Sequence, residues 1–202
     1  MKTIYFDNNA TTPVADQVVK TFVSTLQREP KTPASQHELG RQSRKQLEIT
    51  REQIGGLLGC NQEGSDEDIV VFTSGGTEAN NLALLGICAS FPQRGRLIIS
   101  SIEHPSVTMV GEMLKKDGWD LQVVNTLPNG KIDLDHLGSL LDDETRLVSM
   151  MLANNETGVI QPIADVVTLC KNHSALVHTD AIQAVGKMKV DFQQLGVDAL
   201  SL

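Results

Sequence analysis

Polar groups that could bind a ligand follow four separate apolar runs of this sequence. After the first run, Gly75, Gly76 and Thr77 precede a helical pattern, where small residues, free N–H groups and a hydroxyl could hold a phosphate. The same turn could serve only as a tight connection. It lacks the Gly-Lys-Ser/Thr ending of a P-loop and the spacing of a dinucleotide fingerprint, which argues against ATP and NAD.

The second and third segments supply an imidazole and two adjacent amides. His104 follows the run ending at Ser100, where it could stack on a planar ligand and move protons, or simply cap the helix at Pro105. Asn154 and Asn155 open a polar turn of a composition that is common without any function. Only their position after a strand makes them candidates.

The fourth segment ends in a carboxylate. Asp180 closes an apolar run, and a carboxylate there is costly to bury unless it is paired. Its partner could be the pyridinium nitrogen of a ligand or a nearby Lys, Arg or His. Gln183, three residues later, could face the same ligand if a helical turn begins there.

These four segments need a fold that brings them to one edge. From about Ile69 onward, short apolar runs alternate with segments of helical period, which predicts an α/β fold with a mainly parallel central sheet. The predicted strands are Ile69–Phe72, Leu97–Ser100, Leu121–Val124, Leu147–Leu152, Ala175–His178 and Ala199–Leu202. The predicted intervening helices are Thr77–Ala89, Pro105–Lys116, Leu134–Leu141 and Ile163–Asn172. Ligands collect beyond the carboxyl ends of such strands, so we expect the four segments to lie together.

The region before this unit has a different pattern. An extended arm through Pro13 precedes a helix across about Val14–Arg28, a Pro-bearing loop at Lys31–Ser35 and a long helix of about Leu39–Leu58. We therefore divide the chain into residues 1–60, an arm with helices, and residues 61–202, the first portion of a ligand-binding large domain.

Composition narrows the possible functions. A formal charge of −8 makes a broad grip on nucleic acid or an anionic membrane surface unexpected. Cys60, Cys88 and Cys170 match neither a disulfide framework nor a metal site, so we expect buried thiols and no metal. The N-terminus does not have the pattern of a signal peptide, and no window approaches the ~20 apolar residues that cross a bilayer. The expected location is the cytoplasm.

Five motifs together resemble one family. They are Tyr5-Phe6-Asp7-Asn8-Asn9-Ala10-Thr11-Thr12-Pro13, Phe72-Thr73-Ser74-Gly75-Gly76-Thr77-Glu78-Ala79-Asn80-Asn81, Glu103-His104, Asn154-Asn155-Glu156-Thr157-Gly158 and His178-Thr179-Asp180-Ala181-Ile182-Gln183-Ala184-Val185-Gly186-Lys187. Their order and spacing resemble the cysteine desulfurases of the class V aminotransferase group, within the fold-type I pyridoxal-phosphate (PLP) enzymes. The resemblance implies a three-layer α/β large domain and PLP as cofactor.

The resemblance also implies roles for individual residues. Gly76 and Thr77 would hold the PLP phosphate, and Asp180 would pair with the pyridinium nitrogen. His104 would stack on the ring, and it is the candidate catalytic residue for proton transfer. Contacts on the side of the ring's phenolic oxygen would come from Asn155 and Gln183.

The substrate side of the site would include the N-terminal arm. The resemblance implies that the arm lines the mouth of the site through Asn8 and Ala10, together with Asn155. The alternative is an arm that merely fastens the terminus.

The sequence departs from the family at its end. The run Val197–Leu202 corresponds to the strand that directly precedes the family's Ser-x-His-Lys segment, whose lysine holds PLP covalently. The family's sulfur-accepting loop cysteine and its substrate-binding arginine also have no counterpart here, and Lys31–Ser35 replaces a more usual Gly-Asn before Pro33. We therefore expect a fragment truncated before the lysine and inactive by itself.

The expected activity belongs to the intact protein. It would be a homodimeric transferase that converts L-cysteine to L-alanine and keeps the sulfur as an enzyme persulfide. The sulfur would pass to an iron–sulfur cluster scaffold or to tRNA thiolation, without direct contact with nucleic acid or membrane. The alternatives are a non-catalytic or partner-dependent subunit, a related lyase such as a selenocysteine lyase, or a generic phosphoryl-ligand-binding domain.

Overall fold

The computed structural model describes residues 4–28 and 32–202, so Lys31 of the predicted loop lies outside the described residues. These residues form two compact units, one ending at Ile54 and one beginning at Gly55. Helix α1 (Asp16–Leu26) belongs to the first unit, and α2 (Glu38–Leu57) begins there. Both helices were predicted from the sequence, and both are confirmed within two residues at each end.

A parallel sheet of five strands forms the centre of the second unit. Its strands are β1 (Arg96–Ser100), β2 (Asp120–Val124), β3 (Thr145–Ser149), β4 (Leu176–Asp180) and β5 (Ala199–Ser201). The spatial order is β2-β1-β3-β4-β5, and every neighbouring pair is parallel. The predicted α/β class with a mainly parallel sheet is confirmed.

Five helices accompany the sheet. They are α3 (Gly76–Ser90), α4 (Pro105–Lys116), α5 (Leu134–Leu140), α6 (Ile163–Lys171) and α7 (Phe192–Leu195). The four longer ones were predicted with boundaries within one residue, whereas the short α7 was not predicted.

The strand order determines where the helices lie. From β1 the chain moves outward to β2, then crosses back to β3 and continues to β4 and β5. Right-handed crossovers therefore place α4 on one face and both α5 and α6 on the other, which gives three layers. On the first face, a core cluster joins Leu84 and Cys88 of α3, Leu97 and Ile99 of β1, and Val107 of α4.

Two predicted strands differ most from the structure, whereas the others agree with it to within two residues at each end. Residues 69–72 form no strand, and Ile69 is 83% exposed, so an apolar run here was mistaken for a buried strand. The predicted strand Leu147–Leu152 begins two residues earlier, at Thr145, and ends at Ser149. Met150, Met151 and Leu152 continue the apolar run because they are buried, although they lie outside the strand.

Among the described residues, no helix has the length and apolar character that a membrane crossing needs.

Candidate functional site

The candidate site lies at the carboxyl ends of β1, β3 and β4. The strand order reverses between β1 and β3, and such a reversal opens a crevice where α/β proteins bind ligands. His104 follows β1, Asn155 follows β3, and Asp180 is the last residue of β4. The topology thus brings three of the four predicted segments to one edge of the sheet.

The fourth predicted segment is the N-terminus of α3. Gly75 is its N-cap, with φ 157° and ψ 177°, a conformation that glycine adopts readily and other residues do not. A Cβ on Gly76 would lie 2.1 Å from Cδ1 of Ile182, so a larger residue would collide with the loop that follows Asp180. The α3 N-terminus and the end of β4 are therefore closely packed.

A hydrogen bond from Ser74 to Glu78 closes the turn before α3. The Glu78 carboxylate accepts the Ser74 N–H at 2.5 Å, and hydrogen bonding from Ser74 lowers the pKa of Glu78. Glycine at the N-cap provides no capping side chain, so the first N–H groups of α3 are suited to bind an anion.

Asp180 is a buried carboxylate, 4% exposed. Its Oδ2 accepts from Asn80 Nδ2 at 2.7 Å, and its Oδ1 accepts from the Ile182 N–H at 3.0 Å. No Lys, Arg or His within residues 4–28 and 32–202 forms an ion pair with it. The structure therefore does not supply the ordinary protein cation that the sequence left as an alternative partner.

His104 is exposed and forms the N-cap of α4. Its Nδ1 accepts the Ser106 N–H at 3.1 Å and lies 2.8 Å from Ser106 Oγ. His104 and Thr77 line the same surface groove, which has a volume of about 690 Å³. The capping role considered from the sequence is thus present, and it leaves Nε2 as the nitrogen that can reach a ligand.

Three residues to which the sequence assigned no individual role take part in this region. Asn80 and Ser106 are buried and hydrogen-bonded to each other at 2.9 Å. Glu103 is also buried, and its Oε1 accepts from Ser100 Oγ and from the Met151 N–H. Burial, and secondarily the charge of Asp180, raises the pKa of Glu103 to about 8.

The turn that carries Asn155 is anchored by its neighbour. Asn154 Nδ2 donates to the Ile102 carbonyl at 3.1 Å, and Asn154 Oδ1 accepts the Thr157 N–H at 2.8 Å. The turn is thereby joined to the loop that carries His104. Asn155 is half-buried in this turn, and its proposed ring contact stays a prediction.

The remaining predicted residues lie in two places. Gln183 is half-buried after β4, and its Oε1 accepts from Lys187 Nζ at 2.6 Å. Asn8 and Ala10 lie in an exposed turn of the first unit, where the Ala10 N–H donates to the Asp7 carbonyl at 3.3 Å. Their predicted contact with substrate stays a prediction.

Burial disfavours the thiolate form of all three cysteines. Burial raises the pKa of Cys88 and of Cys170 to about 12, so neither forms a thiolate readily near neutral pH. Cys60 is half-buried, and burial also raises its pKa. Within the described part of the chain, no group of three His, Cys, Asp or Glu side chains is arranged to hold a metal ion.

Known proteins are similar to this chain in sequence and fold. The class V aminotransferase family model matches residues 4–202. The cysteine desulfurase NifS of Azotobacter vinelandii is 35% identical over 202 residues, which are 100% of this chain and 49% of the relative. The cysteine desulfurase IscS of Histophilus somni is 38% identical, over 98% of this chain and 49% of its own length.

A solved structure agrees with these relatives. A NifS-like protein superposes with a TM-score of 0.88 at 35% identity, over 98% of this chain and 54% of its own. The chain therefore spans about half the length of the curated relatives it matches. Class V aminotransferases and cysteine desulfurases are PLP-dependent enzymes. With its parallel sheet, its glycine turn at α3 and its family match over residues 4–202, the chain belongs to the class V aminotransferase family.

Proposed function

We propose that this chain forms the cofactor-holding part of a PLP-dependent cysteine desulfurase. The observation that carries the proposal is Asp180, a buried carboxylate that accepts two hydrogen bonds yet has no ion-pair partner among the described residues. A buried carboxylate is stabilised by a nearby cation, and the protonated pyridine nitrogen of PLP is such a cation. The carboxylate in turn keeps that nitrogen protonated.

The α3 N-terminus suits the phosphate group of the cofactor. Its first N–H groups carry the positive end of the helix dipole, and the Thr77 hydroxyl adds a donor. Gly76 packs so closely on Ile182 that the phosphate turn and the Asp180 loop form one surface. A cofactor that has a phosphate at one end and a basic nitrogen at the other matches this pair of features.

His104 would face the ring and move protons. Because its Nδ1 is occupied by the Ser106 N–H, the outward Nε2 is the atom that can exchange a proton with substrate. When bound, PLP supplies an electron sink for the negative charge that develops at the substrate's α-carbon. Asn155 and Gln183 would contact the phenolic-oxygen side of the ring.

Substrate and partners are part of the same proposal. The substrate would be L-cysteine, with Asn155 among the residues that bind it, and the products would be alanine and sulfur for transfer. The relatives NifS and IscS are named as cysteine desulfurases, which supports desulfuration as the reaction. Burial raises the pKa of Cys88 and Cys170 to about 12, which disfavours the thiolate that a sulfur acceptor needs near neutral pH. A cytoplasmic homodimer that delivers sulfur to an iron–sulfur scaffold is the expected assembly.

The experiment is a comparison of PLP affinity between the full chain and Asp180→Ala. Removing a hydrogen-bonded partner of a charged group should raise the PLP Kd by about 10-fold or more. Asp135→Ala is the matched control, since Asp135 is an exposed aspartate on α5. Equal Kd values for wild type and Asp180→Ala would contradict the proposal and favour a generic phosphate-binding domain.

A further inference from the structure

A chain of hydrogen bonds joins the two side chains assigned to the cofactor ring. Asn80 Nδ2 lies 2.7 Å from Asp180 Oδ2 and 2.9 Å from Ser106 Oγ. Ser106 Oγ in turn lies 2.8 Å from His104 Nδ1. Because Asn80 is on α3, Ser106 on α4 and Asp180 on β4, a single amide connects three separate elements.

Counting donors fixes the direction of each bond. The amide of Asn80 has two hydrogens, and Asp180 and Ser106 each accept one of them. The Ser106 hydroxyl therefore accepts from Asn80. Because His104 Nδ1 accepts the Ser106 N–H, it carries no proton, so the Ser106 hydroxyl directs its own hydrogen to Nδ1 and the ring proton of neutral His104 resides on Nε2.

The orientation of Asn80 depends on Asp180. Turning the amide over would place Asn80 Oδ1 against the carboxylate, where two acceptors repel each other. Asn80 is fully buried and Ser106 is 7% exposed, so bulk water does not readily replace a lost donor. The carboxylate and the imidazole are thus held by the same buried side chain.

We propose that Asn80 is a positioning residue for the cofactor ring. It holds the Asp180 carboxylate in place for the ring nitrogen and, through Ser106, holds His104 against the ring face. This inference rests on the proposed function and adds to it a residue that acts through two others.

The test compares two ligands on the full chain: PLP, and the analogue in which carbon replaces the ring nitrogen. Asn80→Leu, which keeps the branched shape but has no donor, should raise the Kd of PLP by about 10-fold or more. The Kd of the analogue should rise less, because the analogue offers Asp180 no nitrogen to pair with.

Two further variants separate the effect of Asn80 on Asp180 from its effect, through Ser106, on His104. Ser106→Ala should raise both Kd values by a similar, smaller factor, because it removes the hydroxyl that holds His104 while the bond from Asn80 to Asp180 stays, and stacking does not require the ring nitrogen. Ser101→Ala is the matched control, an exposed serine in the loop that leads to α4, and it should leave both Kd values unchanged.

Three results would overturn the inference. Equal weakening of both ligands by Asn80→Leu would indicate a role in packing alone, and unchanged Kd values would remove any role. Either of these two results leaves the proposed function intact when Asp180→Ala still raises the Kd of PLP more than that of the analogue. A wild-type chain that binds neither ligand overturns the inference and the proposed function together. If Asn80→Leu does not fold, Asn80→Ser takes its place under the same criterion of selective loss.

Discussion

The carboxyl group of Glu103 accepts the backbone N–H of Met151 at 2.9 Å from a buried position. Glu103 belongs to the loop after β1, and Met151 lies two residues beyond the end of β3. The bond therefore links the two sides of the crevice where the strand order reverses. His104, the residue next to Glu103, is held at this crevice by the same loop.

Protonation of Glu103 makes stability depend on pH. Its pKa is raised by burial from an ordinary 4.5 to about 8, so between these values the folded chain holds a proton that the unfolded chain has lost. The free energy of unfolding, relative to that of Glu103→Gln, should therefore fall as pH rises, by up to about 1.4 kcal/mol per pH unit. Urea unfolding of both proteins across this range measures the difference, and a difference that stays constant with pH would contradict the prediction.

Buried His178 should produce the opposite dependence. Its Nδ1 lies 2.8 Å from Ser149 Oγ and its Nε2 lies 3.0 Å from Ser201 Oγ, and burial lowers its pKa to about 4. Between pH 6.5 and about 4 the unfolded chain binds a proton that the folded chain does not, so acidification destabilises the fold. His178→Gln should remove this acid sensitivity in urea unfolding.

Glu103 and His178 have opposite effects on folding stability over part of the pH range. From about pH 4.5 to 6.5, Glu103 favours the folded state on acidification while His178 disfavours it. Glu103→Gln should therefore be more acid-sensitive than wild type, and His178→Gln should be less so. The same acid sensitivity in both variants would refute the assignment.

Gly76 and Ile182 should be coupled. A methyl group at residue 76 would lie 2.1 Å from Ile182 Cδ1, so Gly76→Ala should destabilise the chain by about 1 kcal/mol or more. In an Ile182→Ala background the collision is gone. There Gly76→Ala should raise the free energy of unfolding by about 0.5 kcal/mol, because alanine lowers the conformational entropy of the unfolded chain. A double-mutant cycle by urea unfolding measures the coupling, and additive effects would contradict the contact.

Much of the sheet could be predicted from apolar runs, because its strands are covered on both faces. The strand prediction was wrong where apolar residues do not belong to a strand. Met150 to Leu152 are buried beyond the end of β3, so local sequence extends the strand too far. Residues 69–72 are apolar and yet form no strand, because pairing depends on neighbours that a single segment does not reveal.

Site residues at strand ends could be predicted because topology alone gathers them. The residues that hold them were missed, since Asn80 pairs with Asp180 across 100 positions of sequence. One signal was available: Asn80, Leu84 and Cys88 recur every four residues on α3 and form its buried stripe. A polar residue on an apolar stripe must find a buried partner, so Asn80 could have been marked as part of a polar network.

Substitutions of Asn154 and Asn155 should have different effects, the first on stability and the second on ligand binding. Asn154 is buried and bonds to Ile102, Glu156 and Thr157, so Asn154→Ala should lower the free energy of unfolding by about 2 kcal/mol. Asn155→Ala, at a half-buried neighbour, should cost less stability and weaken PLP binding instead. Urea unfolding and PLP titration of both variants measure the two effects. Larger destabilisation by Asn155→Ala than by Asn154→Ala would reverse the assignment.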